Sequence, residues 1–386
     1  MRRYDLDWLR VIVFGLLIFY HVGMFFVAPD WGWHIKNNET YEWIKYPMKL
    51  LNQWRLPILF VISGMGTSYA LSKRSGLQFA AERAKRLLLP LIFGMLVIVP
   101  PQVYIEKLAK GIIKGGYFDF WPAQAFIGEY PVGNLSWHHL WFLPYLFLFC
   151  IVLLPVFMYL KKHPNHVLLR ATAKMCQTKL GLYWFVLPLY LLEAFVEPFF
   201  DITHALVGDW FAISNYMTLF FIGFLLISVK DVFWKATERN RNLYLQCGIV
   251  GFTLFLLITS LYEDSYPRHF TEALITVFTF WSWILALFGY ASKYLNKPSK
   301  TLTYCNQAVY PFYILHQTVT VVLGYFIMNL QWSFFCKFAF LSLGTFLISL
   351  FIYEFMIRRW DVVRPLFGLQ NTKEKKNFSF IRSTSL

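Results

Sequence analysis

The sequence predicts an all-α polytopic membrane protein with about ten transmembrane helices and both termini in the cytoplasm. Of its 386 residues 58% are hydrophobic, 20% are aromatic and only 15% are charged. A soluble globular domain carries about 25% charged and about 45–50% apolar residues. Apolar stretches of about 20 residues, the length that crosses a bilayer as a helix, also recur along the whole chain. These observations together predict a membrane protein rather than a soluble domain.

Ten apolar stretches are predicted to be spans. They cover residues 8–28, 54–72, 87–105, 139–160, 181–200, 211–228, 243–262, 272–292, 306–328 and 334–357. Several contain proline, which membrane helices tolerate better than soluble helices do. Residues 1–368 are expected to form one membrane domain, and residues 369–386 a basic, disordered cytoplasmic tail. Between the first two spans, Trp43 to Trp54 is predicted to be an amphipathic piece lying along the outer membrane interface.

The charge distribution predicts the orientation of the chain. Most of the 36 Lys and Arg residues fall in segments on the same side as the N-terminus. Cytoplasmic loops of membrane proteins carry such an excess. The net charge of +15 is spread over short loops and forms no basic domain, so no nucleic-acid partner is expected.

Arg10 and His21 lie in the first predicted span. Their eleven-residue separation is close to three helical turns, so both side chains leave one helical face about 16 Å apart along the axis. Arg10 is expected at the cytoplasmic interface and His21 near the bilayer midplane. An ionisable group at that depth indicates a functional site, although a lone histidine there also serves as a helix–helix hydrogen-bonding residue.

His316 lies in the ninth predicted span, within Tyr310-PFYILHQ-Thr318. Two histidines at similar depth in different spans suggest a shared polar centre. A neutral imidazole in such a centre can take a proton from a hydroxyl group. His21 and His316 are therefore candidate catalytic residues.

Arg83, Lys85 and Arg86 lie where a cytoplasmic loop enters the third span. In an α-helix, the three-residue spacing places both guanidinium groups on one face, where they can grip phosphate oxygens. Taken alone, ordinary cytoplasmic anchoring is the favoured explanation of these residues, and phosphate binding becomes favoured only if a phosphorylated cofactor is implied independently.

The segment Trp137-HHLWFLP-Tyr145 opens the fourth span on the outer side. His138 and His139 beside Trp141 form either an interfacial aromatic belt or a carbohydrate-binding surface. Asp7 precedes Arg10 by three residues and is expected to orient it through an ion pair.

An ordered set of segments resembles the acyltransferase family 3 membrane proteins, and in particular their glucan biosynthesis protein C branch. The set comprises Leu6-DWLRVIVFGLLIFYH-Val22, Leu59-FVISG-Met65, Arg83-AKRLLLP-Leu91, His139-LWFLP-Tyr145, Asn306-QAVYPFYILHQ-Thr318 and Arg364-PLFG-Leu369. Trp8 stands where the family commonly has Gly, and Met65 stands where Phe is common.

The resemblance implies transfer of an acyl group, acetyl or succinyl, from cytoplasmic acyl-CoA to a hydroxyl of an extracytoplasmic carbohydrate. It implies an integral protein of a bacterial inner membrane. Arg10 and His21 match the family's R-x10-H pair, expected to act in transfer, and Arg83 and Arg86 match its R-x-x-R pair, expected with Lys85 to hold the donor. His139, Trp141, Tyr313 and Asp7 are the residues expected around the acceptor.

Two alternatives remain at the level of sequence. The first is a proton-coupled transporter or exporter of a glycan or small molecule, in which the histidines form a proton relay. It gives no reason for the Arg83–Arg86 pair, and the chain shows no internal repeat. The second is a membrane scaffold, which leaves both histidines unexplained. Acyl-CoA is the expected co-substrate, membrane lipid surrounds the protein, and no metal is expected.

Overall fold

The computed structural model describes residues 3–371 as helices joined by loops. The helices are α1 (Tyr4–Phe26), α2 (Lys45–Leu71), α3 (Gly76–Ala109), α4 (Tyr117–Ala123), α5 (His138–Val152), α6 (Leu154–Lys162), α7 (Val167–Gln177), α8 (Gly181–Phe199), α9 (Trp210–Ser228), α10 (Lys230–Leu261), α11 (Tyr266–Leu295), α12 (Lys300–Ile327) and α13 (Phe334–Ile357). Within this described range there is no β-strand. The all-α prediction is confirmed.

Seven helices among residues 3–371 are long and apolar enough to cross a membrane, or eight if α5 and α6, bent by 47° at their junction, are one span. Each of the ten predicted spans coincides with one helix or with this bent pair. The long helices α2 and α12 are not among these seven. In α12, polar residues such as His316 and Gln317 interrupt the apolar sequence. The protein is a polytopic membrane protein. The number ten stays a prediction, as does the single domain over residues 1–368.

The predicted interfacial piece from Trp43 to Trp54 is not a separate element. Helix α2 begins at Lys45 and continues without a break to Leu71. Pro47 lies in its first turn, where a missing N–H breaks no internal hydrogen bond. The tail predicted for residues 369–386 lies outside the described part of the chain beyond residue 371.

The described chain forms two compact units. The first unit contains the chain up to Val13 together with Lys49–Ala81 and Tyr145–Leu302. The second unit contains Phe14–Met48, Glu82–Pro144 and the chain from Thr303 onward.

In the first unit, α2 and α9 cross at two glycines. A Cβ atom on Gly64 would stand 1.9 Å from the Phe220 carbonyl oxygen, and one on Gly223 would stand 2.1 Å from the Val61 carbonyl oxygen. Small residues let membrane helices approach closely. Gly64 and Gly223 therefore permit the close approach of α2 and α9.

Helix α3, which belongs to the second unit from Glu82 onward, departs from α-helical geometry before its prolines. Ala84–Leu88 and Gly94–Ile98 are π-helical turns, which precede Pro90 and Pro100 respectively. A proline has no N–H for the carbonyl four residues earlier. Those carbonyls belong to Arg86 and Leu96, and each accepts a side-chain hydrogen bond instead: from the Tyr310 hydroxyl at 3.0 Å and from Trp121 Nε1 at 2.9 Å.

Candidate active site

Two buried histidines of the second unit are in direct contact. His21 Nδ1 lies 2.8 Å from His316 Nε2, and the planes of the two rings are nearly parallel, at 6° to each other. His21 is 9% exposed and His316 is 1% exposed. The sequence predicted that these two residues lie close together, and the structure shows that they do. Helix α1 supplies His21 and α12 supplies His316, from opposite ends of the chain.

The hydrogen bonds of His316 determine the tautomers of the pair in its neutral form. His316 Nδ1 lies 2.7 Å from the Tyr313 carbonyl oxygen and 3.1 Å from that of Phe312. A carbonyl oxygen only accepts, so Nδ1 carries the proton and Nε2 of His316 accepts from His21 Nδ1. The lone pair of His21 is then on Nε2. This is the arrangement of a general base whose second nitrogen is held by a partner.

His139 and Tyr313 lie beside His316. The ring centroid of His139 is 5.3 Å from that of His316, and its Nε2 donates to the Ile314 carbonyl at 3.0 Å. The Tyr313 hydroxyl donates to the His139 carbonyl at 2.6 Å. Both side chains are buried, as is Trp141. Helix α5 turns His139 and Trp141 inward, so neither forms an open surface, and their contact with the acceptor stays a prediction.

Two glutamines that were not selected from the sequence connect this centre to a wider polar network. Gln317 Nε2 donates to Gln102 Oε1 at 3.1 Å, and Gln102 Nε2 donates to Thr318 Oγ1 at 2.6 Å. Thr318 in turn donates to the Ile98 carbonyl at 2.7 Å. The available signal was an amide side chain within an otherwise apolar stretch. Burial of such a group requires hydrogen-bond partners.

Arg83 ends the first α-helical part of α3, and Arg86 lies in the π-helical turn Ala84–Leu88 that follows it. Arg86 Nη1 is 3.4 Å from Glu82 Oε1, and Lys85 is exposed. The prediction that Arg83 and Arg86 share one helical face assumed an α-helical turn. The turn is π-helical, with i→i+5 hydrogen bonds and a wider backbone, so the α-helical spacing does not apply to it. The Tyr310 hydroxyl fixes the carbonyl of Arg86. Lys85 and Arg86 are thus displayed from a turn that the half-buried Tyr310 anchors.

Arg10 lies in the first unit, where its Nη1 is 3.5 Å from Asp7 Oδ1. The ion pair predicted from their spacing is confirmed. The Arg10 side chain is 33% exposed.

The loop after α1 is tied to the end of that helix by Lys36. Its Nζ donates to the carbonyls of Met24 and Val27 at 3.0 and 3.1 Å. These carbonyls have no partner within the helix, and a cation there also matches the helix dipole. Burial lowers the pKa of Lys36 to about 8. The cap fixes the loop that carries Trp33, whose ring centroid is 5.1 Å from that of His21.

The sequence matches the family model of the acyltransferase domain over residues 3–354, nearly the whole chain. The chain belongs to the acyltransferase 3 family. It is similar to the glucans biosynthesis proteins C of Salmonella schwarzengrund (strain CVM19633), Salmonella heidelberg (strain SL476) and Salmonella typhi. Each is 25% identical over 336 residues, which is 84% of this chain and 84% of the relative. No solved structure matches.

Membership of this family identifies an O-acyltransferase of a bacterial membrane and favours the enzyme over the transporter alternative. The family's reaction class agrees with the chemistry of the His21–His316 pair, since acyl transfer to oxygen needs a base for the hydroxyl proton.

Proposed function

We propose that this acyltransferase moves an acetyl or succinyl group from cytoplasmic acyl-CoA to a hydroxyl of an extracytoplasmic carbohydrate. The observation that carries the proposal is the hydrogen-bonded His21–His316 pair. The membrane is a bacterial inner membrane and the N-terminus is cytoplasmic, which the excess of Lys and Arg on that side supports.

In the reaction, His21 Nε2 takes the proton of the acceptor hydroxyl while the hydroxyl oxygen attacks the thioester carbonyl. The tetrahedral intermediate collapses with cleavage of the carbon–sulfur bond, and the thiolate of CoA leaves and receives the proton from His21. His316 holds the His21 ring and stabilises the imidazolium through its Nε2 acceptor. In the alternative mechanism, His21 Nε2 itself attacks the thioester and forms a transient acyl-enzyme. This alternative uses the same nitrogen as the base mechanism.

The donor's phosphates are assigned to Arg83, Lys85 and Arg86. Planar guanidinium groups suit phosphate oxygens, and the hydroxyl of Tyr310 anchors the turn that presents Arg86. Arg10, oriented by Asp7, is assigned to transfer through the R-x10-H pattern it shares with the family.

The acceptor is assigned to the surroundings of His139, Trp141 and Tyr313, because His139 and Tyr313 flank His316. The relatives are named for glucans, which supports a carbohydrate acceptor. The proposed partners are therefore acyl-CoA, a carbohydrate and the surrounding membrane lipid, and no nucleic acid.

The donor and the sidedness are tested in proteoliposomes that contain the purified protein. Acetyl-CoA or succinyl-CoA is supplied on one face and a glucan on the other, and CoA release and acylated glucan are measured. We expect turnover with one of the two donors and at least a tenfold higher KM for that donor in Arg83→Ala/Arg86→Ala, against an unchanged KM in the Arg359→Ala control. Turnover that needs donor and glucan on the same face contradicts the proposed sidedness.

A further inference from the structure

Beyond the histidine pair, three residues of the second unit bring metal-binding atoms together. His34 follows α1, Glu106 lies near the end of α3, and His138 begins α5. One ligand atom from each lies within 4.8 Å of the other two. His34 Nδ1 is 2.6 Å from Glu106 Oε2, and the rings of His34 and His138 are 4.6 Å apart. Two imidazoles and one carboxylate form a ligand set suited to Zn²⁺.

One nitrogen of this cluster is buried without a partner. Among residues 3–371, His138 Nε2 has no hydrogen-bonding atom in reach. The opposite nitrogen, Nδ1, lies 2.8 Å from Ser136 Oγ, which also accepts from the His138 backbone N–H. A buried polar atom without a partner costs free energy, and an ion is one of the few features that account for it. His138 also has a left-handed φ of 40°, a backbone conformation that residues other than glycine seldom adopt.

The surrounding hydrogen bonds orient the other two ligands. The Gln317 amide lies 2.9 Å from His34 Nε2. With its oxygen turned toward the ring it accepts from Nε2–H, which leaves Nδ1 without a proton and able to bind a cation. The Tyr130 hydroxyl donates to Glu106 Oε1 at 3.0 Å. Second-shell contacts of this kind set the tautomer and the direction of metal ligands. Lys110 Nζ is 2.6 Å from Glu106 Oε1, but its side chain is 53% exposed, so the ammonium group can move into solvent when a cation binds.

We propose that His34, Glu106 and His138 bind a divalent first-row metal ion of the Zn²⁺ class. The cation takes the place of the proton between His34 Nδ1 and Glu106 Oε2. That proton moves to His34 Nε2 when the ring is neutral, and to solvent when Nε2 already carries one. Three protein ligands leave a fourth tetrahedral position for water or for a hydroxyl of a bound molecule. The ion fastens the loop after α1, the end of α3 and the start of α5 to one another.

This site replaces the expectation that no metal is bound. That expectation rested on the lack of a close ligand spacing in the sequence. The three ligands come from segments far apart in the chain, so spacing gives no signal. The three metal ligands are different residues from the proposed base, His21. The Trp33 ring contacts both sites, with its centroid 5.1 Å from that of His21 and 5.0 Å from that of His34.

The test measures metal content and does not depend on acyl transfer. The full-length protein is purified in nanodiscs through a tag without histidines, stripped with chelator, equilibrated with Zn²⁺ and separated from free metal. Mass spectrometry of the metal is expected to give one equivalent for the wild type. His138→Ala and Glu106→Gln are expected to lose it, and Ser136→Ala to weaken Zn²⁺ binding about tenfold.

His269→Ala is the matched control, since His269 is a half-buried histidine of the first unit whose Nε2 donates to the Ala194 carbonyl. It should retain one equivalent. His138→Gln preserves the polar side chain, and a folded, monodisperse His138→Gln protein without metal supports the site even if His138→Ala fails to fold. Wild-type protein that retains no more Zn²⁺ than His138→Gln overturns the proposal. The proposal is also overturned if His138→Gln has the same metal content as the wild type and a raised KM for glucan. That result assigns the cluster of His34, Glu106 and His138 to acceptor binding instead.

Discussion

His21 Nδ1 lies 2.8 Å from His316 Nε2, and His316 Nδ1 is held by the backbone carbonyl of Tyr313. The chain of bonds runs from a fixed carbonyl through one imidazole to the nitrogen of another. It sets the direction of the His21 ring and places its lone pair on Nε2. His316 is thus a positioning residue for His21, with a role separable from that of the base itself.

Removing His316 should lower the turnover number without changing donor binding. We expect His316→Ala to reduce kcat by about 100-fold, the lower end of the contribution of a positioned base, with an unchanged KM for acyl-CoA. His316→Gln should recover part of this loss, because a Gln carbonyl can accept from His21 Nδ1. Steady-state kinetics of the two variants make the comparison. Equal activity of the Ala and Gln variants argues against positioning through this hydrogen bond.

The Tyr310 hydroxyl should matter for donor binding. Tyr310→Phe leaves the Arg86 carbonyl without the hydrogen bond that Pro90 cannot give. A hydrogen bond of about 1 kcal/mol corresponds to about a fivefold higher KM for acyl-CoA, with kcat little changed. Tyr290→Phe is the control, because its hydroxyl bonds to Asn242 in the first unit. An unchanged KM for Tyr310→Phe removes the tyrosine from the donor site.

Gly368 packs directly against the same tyrosine. Its φ is +68°, and a Cβ atom there would lie 1.9 Å from Tyr310 Cε1. Gly368→Ala should displace the Tyr310 ring, lower the unfolding temperature and raise the KM for acyl-CoA.

Gly111→Ala separates clash from backbone strain, since Gly111 has φ +69° and nothing within 4 Å of its Cβ position. The strained backbone alone costs about 1–2 kcal/mol. We expect Gly111→Ala to lower stability and to leave the KM for acyl-CoA unchanged. An equal rise of this KM in Gly111→Ala and Gly368→Ala contradicts the packing argument.

The α2–α9 crossing sets a prediction for stability. Gly64→Ala and Gly223→Ala each force a methyl group onto a facing carbonyl and should lower the free energy of unfolding by about 1–3 kcal/mol. Gly66→Ala, with nothing within 4 Å, should be neutral or slightly stabilising because alanine favours helix. Thermal unfolding in detergent measures all three. Comparable unfolding temperatures for the three variants would show that the crossing can relax.

The sequence predicted the features that repeat locally along a helix. Hydropathy located every long helix, and the i,i+3 spacing predicted the Asp7–Arg10 pair. Polar residues in apolar spans singled out His21 and His316.

Features that depend on residues distant in sequence were missed. The π-helical turns had a local signal, a proline four residues after the orphaned carbonyl, but their partners Tyr310 and Trp121 come from other elements. The contact between His34 and Glu106 joins residues 72 positions apart, and no periodicity indicates it. The inward turn of His139 likewise depends on packing that a hydropathy pattern does not describe.

The most direct test of the account is a single-turnover measurement of CoA release and glucan acylation by His21→Ala in nanodiscs. Its control is His163→Ala, an exposed histidine of the first unit. The account predicts acylation at the wild-type rate for the control and none above background for His21→Ala, which should remain folded and still bind acyl-CoA. Glucan acylation at the wild-type rate by folded His21→Ala protein contradicts the central claim that His21 is the base.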